Sequence, residues 1–562
     1  GRSIYTSSFS GVYWEVQDLV LDDIDRIEVI RGPGATLWGA NAVNGVINIV
    51  TRSAHETKDG FFNAIAGSEE RESTLRFGGN LGSHTAYRTS VKYADRDEFH
   101  TIENDPAGDN WHIGHFGFRL DSSRPSGDLF TVQGDYIDAR INQGLNQLSL
   151  AEPYQLFVQD QVDSSSWNIL GRWRRPLSVN SDISLQVYLD HSRRSEGFVG
   201  QHLETGDIEF QHRFAWGERN DVIWGLGYRH IRDDYELTEQ VFIDPAKLSH
   251  KLLSGFVQDE ITVVKDRLNV AVGVKVENND FTGTEVQPNF RFIWTPGNRH
   301  SIWGAVAKAS RTPSRAERDA RLLTGALLPN TALNPLPFPL LVFAAGNPDF
   351  RAEELTAVEA GYRAALSPRL NLDLALFRND YDGLRTAEAN DFHLVDFTYV
   401  ELPLDFSNGG MAQTRGLELA ADWRPLDRFR VQLAFSELNV DFATKPGVED
   451  LENRGLEKAS PERQLSLRSG FDFSKSLTFD LWARYVSEVT LSTSLSNEDI
   501  PQLDDYWDLD FRLSWKPGAN WELSLVGQNL LDSGRLEGFT EPLATNRIQV
   551  PRGYYASFSW IF

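Results

Sequence analysis

The chain has 562 residues, and 55 Lys or Arg against 80 Asp or Glu give a formal net charge of −25. This acidic surplus argues against nucleic acid as the main partner, because phosphate binding requires a surplus of basic side chains. The sequence has no cysteine, which excludes disulfides, thiolate metal sites and cysteine nucleophiles. No apolar run approaches the roughly 18–20 residues of a membrane helix, yet aromatic residues make up 12% of the chain. Strands with one apolar face would accommodate them.

The first part of the chain, residues 1–53, predicts a small mixed α/β element. Residues 24–30 and 46–50 have the composition of strands. Residues 31–34, with two glycines and a proline, predict a tight turn. Residues 36–43 could form one helical turn, and residues 51–60 are predicted to be a polar linker to the remainder of the chain.

From about residue 60 onward, apolar and polar residues alternate. In the clearest case Trp507, Leu509, Phe511, Leu513 and Trp515 alternate with Asp508, Asp510, Arg512 and Ser514. A period of two places one set on each face of a strand. Ten short turn signals interrupt the runs, near residues 80–83, 121–127, 176–181, 217–220, 265–267, 296–299, 367–368, 425–427, 474–476 and 517–520. Ten turns that each join two strands, with one further strand at either end, predict 22 strands.

The other connections are predicted to be long loops, such as residues 138–165, 309–352, 382–410 and 440–460. Short turns at one end and long loops at the other are typical of a bacterial outer-membrane barrel. The alternative is a soluble sandwich or propeller, but its strands usually run about five or six residues. The strands predicted here run about nine to twelve, the length that a tilted membrane strand requires. A barrel of this width requires a plug in its lumen, and residues 1–53 are the candidate.

Several motifs in this sequence closely resemble those of TonB-dependent outer-membrane receptors. The plug signature of that family is similar to residues 26–34 (RIEVIRGPG) and 38–49 (WGANAVNGVINI). Barrel motifs of the family are similar to residues 256–260, 310–317, 346–350, 414–418 and 528–532, and Phe562 resembles its C-terminal assembly signal. The resemblance implies an all-β membrane protein: a 22-stranded antiparallel transmembrane β-barrel (residues 54–562) with a small α/β plug in the lumen, of which residues 1–53 are the C-terminal part. It also implies that the chain opens in the middle of the plug and is a fragment, or the ordered part, of a longer protein.

The resemblance implies a function in the outer membrane of a Gram-negative bacterium, namely active transport of a scarce nutrient. The expected partners are TonB with its inner-membrane motor proteins, the lipid bilayer with lipopolysaccharide, and a small nutrient ligand. No cofactor and no enzymatic activity are expected, and the protein is expected to be a monomer. Whether an N-terminal signalling domain lies upstream is left open.

For the ligand site, the resemblance implies that residues 4–18 form a plug apex facing the outer vestibule. Tyr5, Phe9, Tyr13 and Trp14 in this stretch could stack on a flat or amphipathic ligand, or some of them could pack the plug core. Arg311 and Arg315, with Arg318 and Arg321, could hold an anionic chelate. Because Glu317 and Asp319 lie among them, a solvated surface of mixed charge is the alternative.

For the attachment of the plug to the barrel, Arg26 and Arg31 are the candidate residues on the plug. Alternation places Glu359 and Glu418 on the inner face of the wall, with apolar neighbours on the outer face. Charged pairs in a water-filled lumen would hold the plug firmly yet releasably. The alternative is that these four residues are ordinary lumen charges solvated by water.

A ferric siderophore is the first expectation for the substrate, with cobalamin or another metal chelate as the alternative. The family's haem receptors carry a histidine in the loop that corresponds to residues 309–351, and this chain has none there. The acidic stretch 382–410 could bind Ca²⁺ through carboxylate oxygens or be a solvated surface. A passive porin and an outer-membrane hydrolase are further alternatives, although no spacing singles out a nucleophile with its base.

Overall fold

A computed structural model describes residues 1–34, 38–332, 334–453, 455–490, 502–538 and 547–562 of the chain. The N-terminal segment, residues 1–60, contains strands β1 (Ile24–Arg31) and β2 (Gly45–Thr51), which pair antiparallel. Short 3₁₀ turns lie at Trp14–Val16, Leu21–Asp23 and Ala54–Glu56. The two predicted strands are therefore confirmed. The predicted helical turn at 36–43 falls partly on residues 35–37, outside the described residues.

The remainder of the described chain forms a closed barrel of 22 antiparallel strands, as the turn count predicts. The strands, β3 to β24 in chain order, are Phe61–Gly67, Glu70–Asn80, Thr85–Arg96, Trp111–Ser123, Leu129–Leu148, Gln155–Ser178, Ser181–Glu196, Val199–Trp216, Asn220–Glu236, Lys247–Val264, Leu268–Asn279, Gly283–Gly297, His300–Arg311, Glu353–Ser367, Leu370–Ala389, Tyr399–Leu426, Phe429–Thr444, Arg463–Ser474, Leu477–Val486, Tyr506–Trp515, Trp521–Gln528 and Gly553–Ile561. The barrel closes where β3 pairs with β24, with Phe61 opposite Ile561.

The ten short turns lie where the sequence predicts them, at residues 81–84, 124–128, 179–180, 217–219, 265–267, 298–299, 368–369, 427–428, 475–476 and 516–520. The prediction of long loops at the other end is wrong for residues 138–165 and 382–410. There β7 and β8 reach Leu148 and Gln155, and β17 and β18 reach Ala389 and Tyr399. These hairpins continue their ladders beyond the length that a bilayer requires, so their outer parts form rigid walls.

The longest outer connection, residues 312–352, also contains regular structure. Its strands Ala320–Leu327 and Leu340–Ala345 pair with each other, with Val241–Ile243 on one side and with β18 in parallel on the other. This hairpin extends the barrel wall above the shorter strands β13 to β15. Its buried side chains, among them Leu323, Leu341 and Phe343, form a small apolar core outside the membrane region. The loop is therefore held in a fixed position.

The strand faces follow the predicted alternation. Trp507 and Trp515 are 48% and 45% exposed on the outer face of β22, whereas Asp508 between them is 5% exposed on the inner face. Outward tryptophans at both ends of this strand match the aromatic girdles of membrane barrels. No helix within the described ranges is long and apolar enough to cross a membrane.

The N-terminal segment lies inside the barrel. Its side chains or backbone bond to β4 through Arg76, to β9 through Arg194, to β13 through Glu277 and to β18 through Glu418. These strands stand on different sides of the ring, so one small segment can reach them all only from the lumen. The predicted linker is anchored as well, because Ala54 is completely buried and its N–H donates to Asp121 of β6 at 2.7 Å.

Candidate functional site

The loop formed by residues 4–18 places its aromatic side chains at different depths. Phe9 and Tyr13 pack edge to face with ring centroids 4.8 Å apart. Trp14 is 62% exposed and Phe9 40% exposed, while Tyr5 is half-buried. Tyr13 lies under the guanidinium of Arg194, 4.3 Å from its ring centroid, and burial raises its pKa. Of the four aromatic residues predicted to contact the ligand, Phe9 and Trp14 therefore offer open ring surface, and Tyr13 packs against the wall.

The outer loop holds this apex through backbone bonds. The N–H groups of Arg315 and Ala316 donate to the carbonyls of Ser7 and Ser8, each at 2.9 Å. The Tyr235 hydroxyl of β11 donates to Ser8 Oγ at 2.9 Å. The helical turn Arg315–Asp319 that supplies these N–H groups begins at Ser314 with a capping box. The apex and the loop 312–352 therefore form one connected structure.

Arg311 lies at the centre of an ion network at the outer end of β15. Its guanidinium forms paired bonds with Glu317, at 2.7 and 3.0 Å, and with Glu353, at 2.6 and 2.7 Å. Arg385 of β17 reaches Glu317 at 3.2 Å and Glu452 at 2.5 Å. Two cations and three carboxylates leave this network with a surplus of negative charge, which does not favour an anionic ligand.

Glu317 is the buried centre of that network, 2% exposed. Burial raises the pKa of its carboxyl group, but the hydrogen bonds and charge of Arg311 and the charge of Arg385 outweigh burial and hold the pKa below its ordinary value. The carboxylate also accepts from the N–H and the hydroxyl of Ser314. One ionised side chain thus joins β15, β17 and the helical turn of the outer loop.

Arg315 is completely buried in this structure. Its guanidinium pairs with Asp319 and with Asp233 of β11, the latter at 3.2 Å. Arg318 stacks on Phe281, and Arg321 stacks on Phe343 and pairs with Glu401 at 2.5 Å. The four arginines therefore do not converge on one open surface. Ligand binding by Arg311 and Arg315 stays a prediction, and the geometry gives both residues a role in holding the loop.

The predicted attachment residues fall into two groups. Arg31 pairs with Glu418 of β18, and Gly32 lies so close to Glu359 of β16 that an added Cβ would be 2.2 Å from its Oε1. Arg26 instead pairs within its own segment, with Asp25 and Glu28, each at 2.6 Å. The structure thus brings Arg31, Glu359 and Glu418 together at the boundary between segment and wall, and it leaves Arg26 away from the wall.

Sequence reasoning missed the most buried contacts between segment and wall. Asp23 accepts from Arg76 of β4 at 2.6 Å and lies 3.1 Å from the Arg88 Nε of β5. Lys92 of β5 donates to Asp18 at 2.7 Å. The alternation of apolar and polar residues in β4 and β5 could have shown that these cations face the lumen. It does not show which acid on the segment each one meets.

Binding of Ca²⁺ by the acidic stretch 382–410 stays a prediction. In the described part of the chain, no group of three or more His, Asp or Glu side chains is placed to hold a metal ion. Two acidic residues of this hairpin are instead engaged with single partners. Asp382 pairs with Lys445 at 3.0 Å, and Asp405 accepts from Asn390 at 2.7 Å.

Comparison with known proteins places this arrangement in a family. Residues 52–530 match the family model described as TonB dependent receptor-like, beta-barrel. A variant of the ferric enterobactin receptor PfeA from Pseudomonas aeruginosa superposes with a TM-score of 0.77, covering 100% of this chain and 89% of that chain at 15% identity. The siderophore receptor PirA from Acinetobacter baumannii gives a TM-score of 0.75, with 96% and 85% covered at 16% identity. At these identities the superpositions show the fold alone.

Two curated relatives carry different names. The vitamin B12 transporter BtuB of Vibrio vulnificus is 40% identical over 375 residues, which are 64% of this chain and 55% of that protein. The probable TonB-dependent siderophore receptor PirA of Acinetobacter baumannii is 22% identical over 415 residues, 64% of this chain and 54% of that protein. This chain therefore spans about half the length of these relatives.

Proposed function

The chain belongs to the TonB-dependent receptor family, and we propose that the protein imports a scarce nutrient across the outer membrane, with a ferric siderophore as substrate. The observation that carries the proposal is the polar attachment of residues 1–53 inside a wide barrel. A passive porin would leave its lumen open, whereas here the segment bonds to strands on several sides. We assign residues 1–53 to the C-terminal part of a plug and residues 54–562 to the barrel.

The proposed ligand site is the vestibule above Phe9 and Trp14. Both rings are exposed, and the apex that carries them is fixed by the outer loop. Open aromatic faces stack on planar groups, such as the catechol rings of a siderophore. The arginine network below has no surplus of positive charge, so the aromatic rings are proposed as the first ligand contacts.

Transport would require coupling to TonB and its inner-membrane motor proteins, which are proposed partners. The bonds between segment and wall are the elements that such a pull would have to break. The exposed contacts among them suit this function, because solvated ion pairs each contribute only about 0–1 kcal/mol and water can replace them one at a time. The monomer stays a prediction.

A binding panel tests the substrate. The purified chain, in detergent, would be titrated with ferric catecholate, ferric hydroxamate and cyanocobalamin while tryptophan fluorescence is recorded. Quenching by one ferric chelate alone would support the proposal. Because BtuB is among the relatives, cobalamin is the second candidate, and binding of cyanocobalamin without any ferric chelate would replace the siderophore.

Abundance in the source organism provides an independent test. Outer membranes from iron-starved and iron-replete cells would be compared by quantitative mass spectrometry. A strong rise on iron starvation is expected for a receptor of a ferric chelate. An unchanged level would count against the siderophore and would direct the panel to cobalamin or other metals.

A further inference from the structure

The two ends of the barrel differ sharply in charge. The ten short turns together carry nine Lys or Arg against four Asp or Glu, a surplus of five positive charges, in a chain whose net charge is −25. The eleven connections at the opposite end carry ten basic against 28 acidic residues, a surplus of 18 negative charges. The short turns are therefore a local exception to the acidic character of the protein.

Most of the cations of the short turns are not paired with an acid; Arg369 is an exception, because it pairs with Asp427 of a neighbouring turn at 2.8 Å. Within the described ranges, no side-chain hydrogen bond or ion pair is made by Arg219, Lys265, Arg267, Arg299, Lys475 or Lys516. All six side chains are exposed. Cations near the opposite end are commonly paired, as Lys308 is with Glu354 at 2.8 Å and Lys445 with Asp382 at 3.0 Å. These six turn cations are thus available to a partner outside the chain.

Exposed apolar side chains stand beside these cations, on the outer face of the barrel. Trp216 is 72% exposed three residues before Arg219, and Phe473 is 53% exposed two residues before Lys475. Val179, in the turn between β8 and β9, is fully exposed. A soluble acidic partner would leave such side chains in water. A lipid surface accepts both, because apolar side chains enter the acyl region while Lys and Arg reach the head groups.

We propose that the ten short turns form a ring that binds the phosphate groups of anionic phospholipids in the membrane leaflet around them. Short turns lie at the periplasmic end of outer-membrane barrels, so the ligand is an anionic glycerophospholipid of the inner leaflet. Each free Lys or Arg at an anionic lipid surface contributes an attraction equal to about a fivefold gain in association constant. The proposal requires only the barrel and does not depend on which nutrient is transported.

Lipid selectivity in a defined bilayer tests the ring. The full chain would be reconstituted in phosphatidylcholine nanodiscs with a spin-labelled lipid, either phosphatidylglycerol or phosphatidylcholine. Electron paramagnetic resonance then measures the motionally restricted fraction of each lipid. Phosphatidylglycerol should be enriched next to the protein about fivefold at low salt, and the enrichment should vanish at 1 M salt, where the screening length is about 3 Å. Equal restricted fractions of the two lipids at low salt would overturn the proposal.

A ring variant and a matched control separate local from overall charge. The ring variant carries Arg219→Gln, Arg267→Gln, Arg299→Gln, Lys475→Gln and Lys516→Gln. The control carries five substitutions of exposed, paired arginines in the outer half: Arg71→Gln, Arg140→Gln, Arg378→Gln, Arg415→Gln and Arg463→Gln. Both change the net charge by the same amount. Loss of enrichment in the ring variant alone supports the proposal, whereas equal loss in both overturns it.

A soluble acidic partner is the competing occupant. Soluble polyglutamate would be added to the wild-type protein in uncharged nanodiscs, and binding would be followed by sedimentation. Tight binding of polyglutamate together with no preference for phosphatidylglycerol would overturn the lipid proposal and would assign the ring to an acidic polypeptide. The salt series on the wild-type protein keeps the test decisive if the ring variant fails to fold.

Discussion

The substitution Asp23→Asn should detach the N-terminal segment from the wall more than any change at the predicted attachment residues. Asp23 Oδ1 accepts from Arg76 at 2.6 Å, and Oδ2 lies 3.1 Å from Arg88 Nε, with all three side chains 7–8% exposed. Removing one member of such a buried group leaves uncompensated charge, at a cost of about 3–5 kcal/mol. By contrast, the Arg31 side chain is 61% exposed where it pairs with Glu418, and pairs of that kind contribute about 0–1 kcal/mol.

These free-energy costs can be converted into changes in the population of the open segment, which hydrogen exchange measures. At about 1.4 kcal/mol per factor of ten, Asp23→Asn should raise the open population of the segment roughly a hundredfold to a few thousandfold. Arg31→Gln should raise it by less than about fivefold. Hydrogen exchange followed by mass spectrometry would measure both changes on peptides that cover β1 and β2, since exchange of protected amides reports local opening.

The control within each experiment is the barrel itself. Peptides from β20 and β21, which lie away from Asp23, should keep their wild-type exchange in both variants. If Asp23→Asn alters exchange in β1 and β2 by less than about threefold, the buried group is not an anchor and the reasoning from burial is refuted. Equal effects of Asp23→Asn and Arg31→Gln would refute the assumed difference between buried and exposed pairs.

Three further changes test other parts of the site. Gly32→Ala should weaken docking of the segment by roughly 1–3 kcal/mol, because Gly32 has φ +68 and an added Cβ would meet Glu359. Gly82→Ala is the control, since Gly82 has φ +78 but lies in open space. In thermal unfolding the control should lose less stability than Gly32→Ala. Glu317→Gln should lower the free energy of opening of loop 312–352 by roughly 3 kcal/mol at pH 7. The loop should therefore become more sensitive to protease. The folded pKa of Glu317 lies below its ordinary value of 4.5. The ionised carboxylate therefore stabilises the loop above pH 4.5, and this stabilisation is lost as the pH falls through the folded pKa. Cleavage of the wild-type loop should rise in acid and approach that of Glu317→Gln. Trp14→Phe should abolish most ligand-induced fluorescence quenching with little loss of stability, whereas Tyr13→Ala, at a packed position, should lower the melting temperature.

The barrel was predictable because its rule is local. Each strand alternates with a period of two, and each short turn carries its own Gly, Pro, Asn, Asp or Ser signal, so the strand count follows from residues close in sequence. The lengths of the outer hairpins were not predictable in the same way. Their polar outer parts, such as residues 138–148 and 382–389, have a loop-like composition, and only pairing with the neighbouring strand makes them β-structure.

The contacts of the candidate site depend on partners far apart in the chain. Alternation shows that Glu418 faces the lumen, and the pair with Arg31 agrees with that phase. It cannot show that Arg26 turns to Glu28 in its own strand, or that Arg315 is buried against Asp233. These outcomes are set by how the segment and the outer loop pack in three dimensions. Sequence therefore identifies the charged residues of the lumen better than it identifies their partners.

The unequal strength of the wall contacts has a mechanical consequence. A pull on the N-terminal segment would meet exposed contacts, such as Arg31 with Glu418, that water replaces at little cost. The buried group of Asp23 with Arg76 and Arg88 resists more strongly, because its cations would be left without a partner in a confined space. Release should therefore begin at the Arg31 side and end at the Asp23 side, next to the point where Arg52 N–H donates to the Asp23 carbonyl at 2.8 Å. The buried group lies close to the covalent link with β3, so the last contact to break is the one that reseats the segment in register.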